Sequence, residues 1–254
     1  MYPNNTNSPI PYILLSFALY AVCAGCSSPT TPASFTSFHP IELDSKLKEG
    51  AYTRKLDNFL IIVDASSTMN NRYLYEAFES NTVPSLFEVE KEILKRFNQT
   101  IPTIDLNAGI RTFGFGPCLS WTFSQLILKP AKYDKLSFDE ALDSLVCAGG
   151  GSPLDFAIDQ AALDLEAIKG DTALIILSDG DLDDAPAIAV FELKRKYAKN
   201  ICVHTISISE DPANRLAMRR LSALSQCGYT TTAEEIATPE GMAEFVEKTF
   251  FRRK

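Results

Sequence analysis

Three short polar segments carry the oxygen-bearing side chains that are best spaced for chemistry. They are residues 64–68 (Asp-Ala-Ser-Ser-Thr), 149–153 (Gly-Gly-Gly-Ser-Pro) and 178–181 (Ser-Asp-Gly-Asp). In the first segment Asp64 directly follows an apolar run, and the hydroxyls of Ser66 and Thr68 follow at alternate positions. Hard cations such as Mg²⁺ take oxygen ligands and commonly use one or two carboxylates. The spacing predicts a divalent-cation site, with a turn or a helix N-cap as the alternative use of the hydroxyls.

The elements that must position these segments alternate along the chain. Continuous apolar runs, typical of strands covered on both faces, are followed by segments with helical spacing. Residues 109–115 and 121–128 are β-rich and joined by a short Gly-Pro-Cys link, which predicts an antiparallel hairpin. The other predicted strands are 59–63, 173–177, 201–208 and a short one around Tyr229, and the predicted helices are 86–97, 137–146, 153–168, 185–198, 214–225 and 239–250.

Strands that alternate with helices imply parallel connections with right-handed crossovers. The predicted fold class is therefore α/β, a doubly wound and mostly parallel six-stranded sheet with helices on both faces and one antiparallel edge strand. In such sheets, ligands bind beyond the carboxyl ends of the strands. The three polar segments are expected to meet there.

The three segments together resemble the von Willebrand factor A (VWA) domain family. Residues 62–69 (Ile-Val-Asp-Ala-Ser-Ser-Thr-Met) are similar to its Asp-x-Ser-x-Ser/Thr motif. Residues 150–154 resemble the Gly-rich loop in which the family places a Thr, here replaced by Ser152, and residues 177–180 resemble the segment that supplies a further Asp. The order and spacing of these motifs agree with the family from about Leu56 to Phe250.

The resemblance implies a metal-ion-dependent adhesion site (MIDAS). In such a site the hydroxyls of Ser66 and Thr68 bind the cation directly, and Asp64 and Asp179 act mostly through water. Ser152 would lie in a loop that moves between closed and open states. The implied cofactor is Mg²⁺, with Mn²⁺ or Ca²⁺ as alternatives, and the implied partner is a protein whose carboxylate completes the coordination. The resemblance implies docking rather than turnover, so neither a catalytic residue nor enzyme activity is expected.

Three other interpretations of these segments are possible. A metal-independent scaffold would keep the fold without binding an ion. A haloacid dehalogenase-like hydrolase would use Asp64 as a nucleophile, but it needs a second acid where this sequence has Ser66. An EF-hand calcium loop in the third segment would need Gly and Glu where the chain has Asp184 and Val190. The acids that follow Asp179 are predicted instead to stabilise a helix N-terminus or to form a negative rim, and they are Asp181, Asp183 and Asp184.

The composition limits the number of domains and the class of partner. A chain of 254 residues, 46% of them hydrophobic and 22% charged, is expected to form one globular domain with an extension. The net charge of −8 would repel a polyanion, so nucleic acid is not expected as a partner. His39 lies in a Pro-rich segment, and His204, inside an apolar run, is predicted to be a core residue.

The first 26 residues differ in kind from the rest. Residues 10–25 are nearly all apolar, as in a signal peptide, and residues 23–26 (Cys-Ala-Gly-Cys) resemble the lipobox of bacterial lipoproteins. We therefore expect export to the bacterial cell envelope, with membrane attachment through a lipidated Cys26, or secretion; an ordinary signal peptide and an uncleaved anchor are the alternatives. Residues 27–55 are predicted to be a Ser/Thr/Pro-rich tether and polar lead-in, and residues 56–254 the VWA domain.

The four cysteines beyond the signal segment permit two disulfides in three connectivities. In the predicted topology Cys118, at the hairpin tip, and Cys147, before the Ser152 loop, lie at the end of the sheet that carries the site. Cys202 opens a strand and Cys227 closes the following helix, so both lie at the opposite end. The predicted pairs are Cys118–Cys147 and Cys202–Cys227.

Overall fold

The computed structural model describes residues 32–50, 52–197 and 200–254. The predicted signal segment 1–26, with Cys26, lies outside the described residues. The strands are β1 (Tyr52–Arg54), β2 (Asn58–Asp64), β3 (Asn107–Phe113), β4 (Ser124–Lys132), β5 (Thr172–Ser178), β6 (Ile201–Ser207), β7 (Thr230–Thr232) and β8 (Phe251–Arg253). The helices are α1 (Asp44–Lys48), α2 (Leu86–Thr100), α3 (Lys135–Asp143), α4 (Leu154–Asp164), α5 (Ala185–Tyr197), α6 (Pro212–Leu224) and α7 (Pro239–Phe250).

The central sheet has six strands in the order β4-β3-β2-β5-β6-β7. Only its edge strand β4 runs antiparallel to its neighbour, and the other pairs are parallel. The predicted fold class is confirmed. In β3 and β4 the predicted antiparallel pairing is also confirmed, although the link between them spans residues 114–123 and contains a 3₁₀ turn, Pro117–Leu119, rather than a three-residue connection.

The sheet separates two hydrophobic cores, which explains the uninterrupted apolar run of β2. Every residue of β2 is buried, and its side chains alternate between the two faces. On one face the Phe59 ring packs against aromatic rings of α2, α3 and α7. On the other face Leu60 and Ile62 pack with α4, α5 and α6. Helices therefore cover both faces, and the site residues at the end of β2 rest on a strand that cannot shift without disturbing both cores.

Local sequence signals determine where the helices begin. The Ser85 hydroxyl accepts from the Glu88 backbone N–H while the Glu88 carboxylate accepts from the Ser85 N–H, a capping box that starts α2. Asp211 and Thr238 cap α6 and α7, each followed by a proline in the first helical turn. Because α2 and α6 begin at the carboxyl ends of the parallel strands, these caps also fix the walls of the candidate site.

The packed part of the chain begins earlier than the predicted boundary at Leu56. Residues 32–50, assigned from the sequence to the tether and polar lead-in, belong to the same compact unit as the rest of the domain. Phe35, Phe38 and Ile41 pack against the core, and Leu43 is buried within it. The segment was predicted to be a tether because it is rich in Ser, Thr and Pro, although it also contains these regularly spaced apolar residues. No helix within the described ranges has the length and apolarity needed to cross a membrane.

A second, two-stranded sheet was not predicted. β1 and β8 pair in antiparallel fashion, with Tyr52 opposite Arg253 and Arg54 opposite Phe251. Each strand has three residues, and most of them are exposed or half-buried, so neither carries an apolar pattern. This small sheet lies beside the amino end of β2 and joins the lead-in to the end of the chain.

His204 is a core residue of β6, as predicted. Its side chain is fully buried, neither ring nitrogen has a hydrogen-bond partner, and the edge of the ring packs on Tyr229 with centroids 4.8 Å apart. Burial lowers the pKa of His204 to about 3, and the positive charge of Lys55 contributes further. The imidazole is therefore neutral in the folded protein across the physiological range.

Replacing His204 with Leu is expected to remove a loss of stability that the wild type shows as the pH falls below 6.5. Below pH 6.5 an unfolded histidine binds a proton that folded His204 does not bind. The free energy of unfolding of the wild type therefore falls by about 1.4 kcal/mol per pH unit through this residue as the pH drops from 6.5 toward 3, or about 2 kcal/mol at pH 5. Urea unfolding of both proteins at pH 7.5 and pH 5 measures the effect. The other titratable groups are the same in both proteins, so their contributions cancel when the two changes in unfolding free energy are subtracted. Parallel pH profiles would contradict it.

Candidate metal-binding site

Asp64 is the last residue of β2 and is fully buried. Its two carboxyl oxygens are held from different directions, since the Ser178 hydroxyl donates to Oδ2 at 2.7 Å and the Ser66 backbone N–H donates to Oδ1 at 2.9 Å. Burial raises the pKa of Asp64 to about 7, and the nearby charge of Asp179 adds to that rise while the hydrogen bonds oppose it. The carboxyl group is therefore fixed in orientation, in surroundings that disfavour its negative charge.

Ser66 and Thr68 are brought together by the chain that leaves β2. The two hydroxyl oxygens lie 3.1 Å apart. A 3₁₀ turn, Ser67–Asn70, follows Ser66, and the Met69 side chain anchors this turn in the core. The turn thus holds two hydroxyl groups side by side next to the Asp64 carboxyl, and three of the predicted site residues form one cluster.

Asp179 lies across from this cluster, directly after β5. Asp179 and Thr68 both line a cleft of about 290 Å³ at the carboxyl ends of the strands. The Asp181 backbone N–H donates to Asp179 Oδ1 at 3.2 Å, which orients that carboxylate. The opposite wall of the cleft includes Glu210 and Asp211, from the loop between β6 and α6. Sequence reasoning did not include these two acids, although their position just after a buried strand was the signal that could have found them.

The loop that carries Ser152 is attached to the first cluster through its backbone. The Gly149 N–H donates to the Ala65 carbonyl at 2.8 Å, and the Ser67 N–H donates to the Gly150 carbonyl at 2.9 Å. Ser152 itself has an exposed side chain, and within the described residues no hydrogen bond joins its hydroxyl to the other four predicted site residues. The structure thus places the loop at the site and leaves the Ser152 side chain facing solvent.

Both predicted disulfides are confirmed. Cys118 pairs with Cys147, with 5.6 Å between their Cα atoms, and Cys202 pairs with Cys227, with 5.3 Å between theirs. The first bond joins the 114–123 link to the residues just before the Ser152 loop. The second joins the amino end of β6 to the residues just after α6, at the opposite end of the sheet. The site end is therefore braced covalently.

No protein-family model and no curated protein matches the sequence, but solved structures share its architecture. A von Willebrand factor type A protein from Catenulispora acidiphila superposes with a TM-score of 0.53 at 17% identity, covering 76% of this chain and 41% of that one. The chain has the von Willebrand factor A fold. The vWF domain of the type V pili tip protein Mfa5 from Porphyromonas gingivalis gives 0.51 at 10% identity, covering 78% and 97%. The pilus adhesin SpaC from Lactobacillus rhamnosus GG gives 0.53 at 12%, covering 76% and 29%. This VWA-fold chain therefore spans less than half of two of these three chains.

Glu90 is a further acid of this VWA fold that the sequence analysis missed. It lies on α2, is fully buried, and accepts the Asp64 backbone N–H at Oε1 over 2.9 Å. Its second oxygen, Oε2, is buried without a hydrogen-bond partner. Burial and the charges of Asp64 and Asp179 hold the pKa of Glu90 well above its usual range. The signal was its helical spacing with Leu86, which places it within the buried stripe of α2.

The buried acids of the site repel one another, and a hard cation would relieve that repulsion. The charge of Asp179 adds to the rise in the pKa of Asp64, the charges of Asp64 and Asp179 add to the rise in the pKa of Glu90, and the buried Oε2 atom of Glu90 is left without a donor. A divalent cation would offset this concentration of negative charge, and its bound waters would be donors for carboxylates. The donor set of two hydroxyls and carboxylates is the oxygen chemistry that Mg²⁺ takes.

Of the acids that follow Asp179 in the chain, Asp181 lines the same cleft as Asp179 and Thr68. Asp183 accepts the Ala185 N–H at 2.9 Å, at the start of α5, which is the helix-stabilising role expected for it. In the part of the chain that the structure describes, no group of three or more His, Cys, Asp or Glu side chains is arranged to hold a metal ion. The candidate site of this VWA fold thus depends on the hydroxyls of Ser66 and Thr68 as well as on acids.

Proposed function

We propose that this VWA-fold domain binds a partner protein by docking a carboxylate of that partner on a divalent cation. The observation that carries the proposal is the pair of hydroxyls of Ser66 and Thr68, 3.1 Å apart, beside the fixed and buried carboxyl of Asp64. Buried acids without a paired cation are costly, so a site that concentrates them calls for a positive ligand. The residues that would hold the cation are Asp64, Ser66, Thr68, Ser152 and Asp179.

The proposed cation is Mg²⁺, with Mn²⁺ or Ca²⁺ as alternatives, because the donors are all oxygens. When bound, such a cation supplies a Lewis-acidic point for an oxygen of the partner. Ser66 and Thr68 contribute neutral donors, which add no further negative charge that would repel an incoming carboxylate. Asp64 and Asp179 supply the negative charge that retains the ion. Ser152 stands on a loop whose backbone is attached to the same cluster, and its hydroxyl faces outward, where a partner arrives.

Docking, rather than turnover, is the activity that we propose. The Asp64 carboxyl, which a hydrolase of the haloacid dehalogenase type would use as a nucleophile, is fully buried and accepts hydrogen bonds at both oxygens. A nucleophile needs a free oxygen that can reach its substrate. We therefore propose that the chain is not an enzyme and that its site residues bind and orient.

We further propose that the protein is exported, to a bacterial cell envelope or beyond it. Two disulfides within a chain of this size favour an oxidising compartment. Two of the structures that share the fold are named as a pilus adhesin and a pilus tip protein, so adhesion is among the functions that this fold supports. We propose that the protein is attached to the membrane through a lipidated Cys26. We also propose that it does not bind nucleic acid, because its net charge of −8 would repel a polyanion.

Isothermal titration with MgCl₂ and MnCl₂ tests the proposed site. The wild type is expected to give a saturable binding heat that Asp64→Ala removes, because the variant lacks the carboxyl that orients the cluster. The more conservative Asp64→Asn keeps the side-chain volume and is expected to lose the heat as well. Asp184→Ala, which removes an exposed acid of the same region outside the cluster, is the matched control and is expected to bind as the wild type does.

Circular dichroism melting of each variant separates loss of the ion from loss of the fold. A wild type that gives no heat with either ion would refute the metal site. Partner binding that is unchanged in EDTA would instead favour the metal-independent scaffold.

A further inference from the structure

Four aromatic rings form an exposed cluster at the site end of the domain. Phe115, Trp121 and Phe123 belong to the 114–123 link, and Phe156 belongs to α4. The Phe115 ring stacks on Phe123 with centroids 4.8 Å apart and meets Trp121 edge-on at 5.8 Å, while Phe123 contacts Phe156 at 5.6 Å. Trp121 is 65% exposed and Phe123 is 49% exposed. We call these four residues the aromatic platform.

The backbone holds Trp121 outward in an unfavourable conformation. Ser120 and Trp121 have φ angles of 52° and 60°, in the left-handed region that bulky residues rarely adopt. Such strain costs of the order of 1–3 kcal/mol per residue and persists where the surroundings impose it. Here the buried Leu119 and the Cys118–Cys147 disulfide fix the chain immediately before this turn. A strained turn that exposes a tryptophan is an arrangement found at binding surfaces rather than in passive loops.

The aromatic platform is continuous with the Ser152 loop. Gly150 packs so closely on the backbone of Phe115 that a Cβ atom added to Gly150 would lie 1.1 Å from the Phe115 carbonyl oxygen. The same Gly150 accepts the Ser67 N–H through its carbonyl, so one glycine touches both the platform and the cluster of Ser66 and Thr68. A partner seated at the metal-binding cluster would therefore lie next to the platform.

The charges around the aromatic platform favour a protein over a lipid surface. Residues 114–128 contain no charged residue, and residues 148–164 contain three aspartates and no Lys or Arg. Aromatic residues that insert into membrane interfaces are commonly accompanied by cationic side chains, which anionic headgroups attract, and the two segments that carry the platform contain none. Exposed aromatic residues such as Trp and Phe are enriched at the centres of protein interfaces, where they pack against apolar side chains.

We propose that the aromatic platform binds an apolar side chain of the same partner protein whose carboxylate docks at the metal-binding cluster. This inference rests on the proposed function. The recognised feature is an Asp or Glu with a Leu, Phe, Trp or other large apolar residue close to it on an otherwise neutral or basic surface. The acidic rim formed by Asp181, Glu210 and Asp211 adds a preference for Lys or Arg around that pair.

An array of immobilised synthetic peptides tests the proposal. Each peptide has a central Asp in a Gly, Ser and Lys background, with Leu, Phe or Trp placed in turn at each flanking position, and a parallel set has Asn for Asp. In Mg²⁺ the wild type is expected to retain peptides with both Asp and a nearby apolar residue about tenfold better than peptides with Asp alone. The preference should disappear in Trp121→Asn, whose new residue accepts the left-handed backbone, and in Phe123→Ser. Phe191→Ser removes a 59% exposed ring on α5 and is the matched control, expected to behave as the wild type.

The array outcomes distinguish this inference from the proposed function. Unchanged Mg²⁺ titration of Trp121→Asn together with a lost apolar preference supports the platform. Mg²⁺-dependent retention of all Asp peptides without apolar preference overturns the platform alone. Absence of any Mg²⁺-dependent retention overturns both, and retention of Asn peptides in EDTA overturns the link between platform and cation. Binding of the wild type, but not of Trp121→Asn, to phosphatidylcholine and phosphatidylglycerol vesicles would identify a lipid surface and overturn the protein partner.

Discussion

Gly150→Ala is expected to lower the free energy of unfolding by at least about 3 kcal/mol and to abolish metal binding. Gly150 has a φ of +83°, and an added Cβ atom would overlap the Phe115 carbonyl, which is backbone and cannot rotate away. The loop must therefore separate from the 114–123 link. Because the Gly150 carbonyl also accepts the Ser67 N–H, that separation releases the turn between Ser66 and Thr68.

The neighbouring glycine provides the control for this prediction. A Cβ atom added to Gly151 would have no atom within 4 Å, so Gly151→Ala is expected to keep the wild-type stability and Mg²⁺ heat. Thermal unfolding and isothermal titration are measured for both variants. A Gly150→Ala protein that melts and binds Mg²⁺ as the wild type does would show that the loop does not depend on this contact.

Arg111→Met is expected to destabilise the protein by about 3–5 kcal/mol. The Arg111 guanidinium makes two hydrogen bonds to Asp164, of 2.7 Å and 2.9 Å, and a third to the Ser124 hydroxyl at 2.9 Å. The side chains of Arg111 and Asp164 are only 7% and 10% exposed. Removing the arginine leaves a buried carboxylate without a partner. Since Asp164 ends α4, the helix that follows the Ser152 loop and carries Phe156, the loss also loosens the attachment of that helix to β3 and β4.

A double variant separates the pair's net contribution from the penalty of breaking it. Arg111→Met with Asp164→Leu removes both charges and is expected to recover most of the lost stability, because an apolar pair of similar volume replaces a costly buried ion pair. Lys196→Met breaks the exposed pair with Glu166 and is expected to leave the stability nearly unchanged, because solvent screens that pair. Guanidinium unfolding of the wild type and the three variants measures the series. A loss in Arg111→Met no greater than in Lys196→Met would contradict the prediction.

The strand ends that bear the site and the two disulfides could be predicted from the sequence for physical reasons. A run such as Phe59–Val63 without alternation fits only a strand covered on both faces, and the acid that ends it must then lie at the carboxyl end of a parallel sheet. The same topology placed Cys118 near Cys147. These features follow from patterns that are local in the chain and from connection rules that hold across α/β folds.

The role of Glu90 could not be predicted from such patterns. A carboxyl group within the buried stripe of α2 is tolerated because the Asp64 N–H reaches it, and that contact depends on the packing of α2 against β2. The strands β1 and β8 are paired across nearly the whole chain and have no apolar pattern of their own. The positive φ of Trp121 likewise follows from its disulfide-held link rather than from its residue type. Tertiary context decides all three.

The lead-in segment makes the two ends of the described domain unequal as points of attachment. Near its start the Ala33 N–H donates to Glu88 in the first turn of α2, at the site end of the sheet. The segment then runs toward the opposite end, where Asp44 accepts the Thr103 N–H and β1 pairs with β8. A sensor surface coupled directly at Pro32, without the residues that precede it in the sequence, would therefore stand beside the candidate site and obstruct large partners. Coupling through Lys254 leaves the cleft and the aromatic platform pointing into solution, so binding assays should be immobilised from that end.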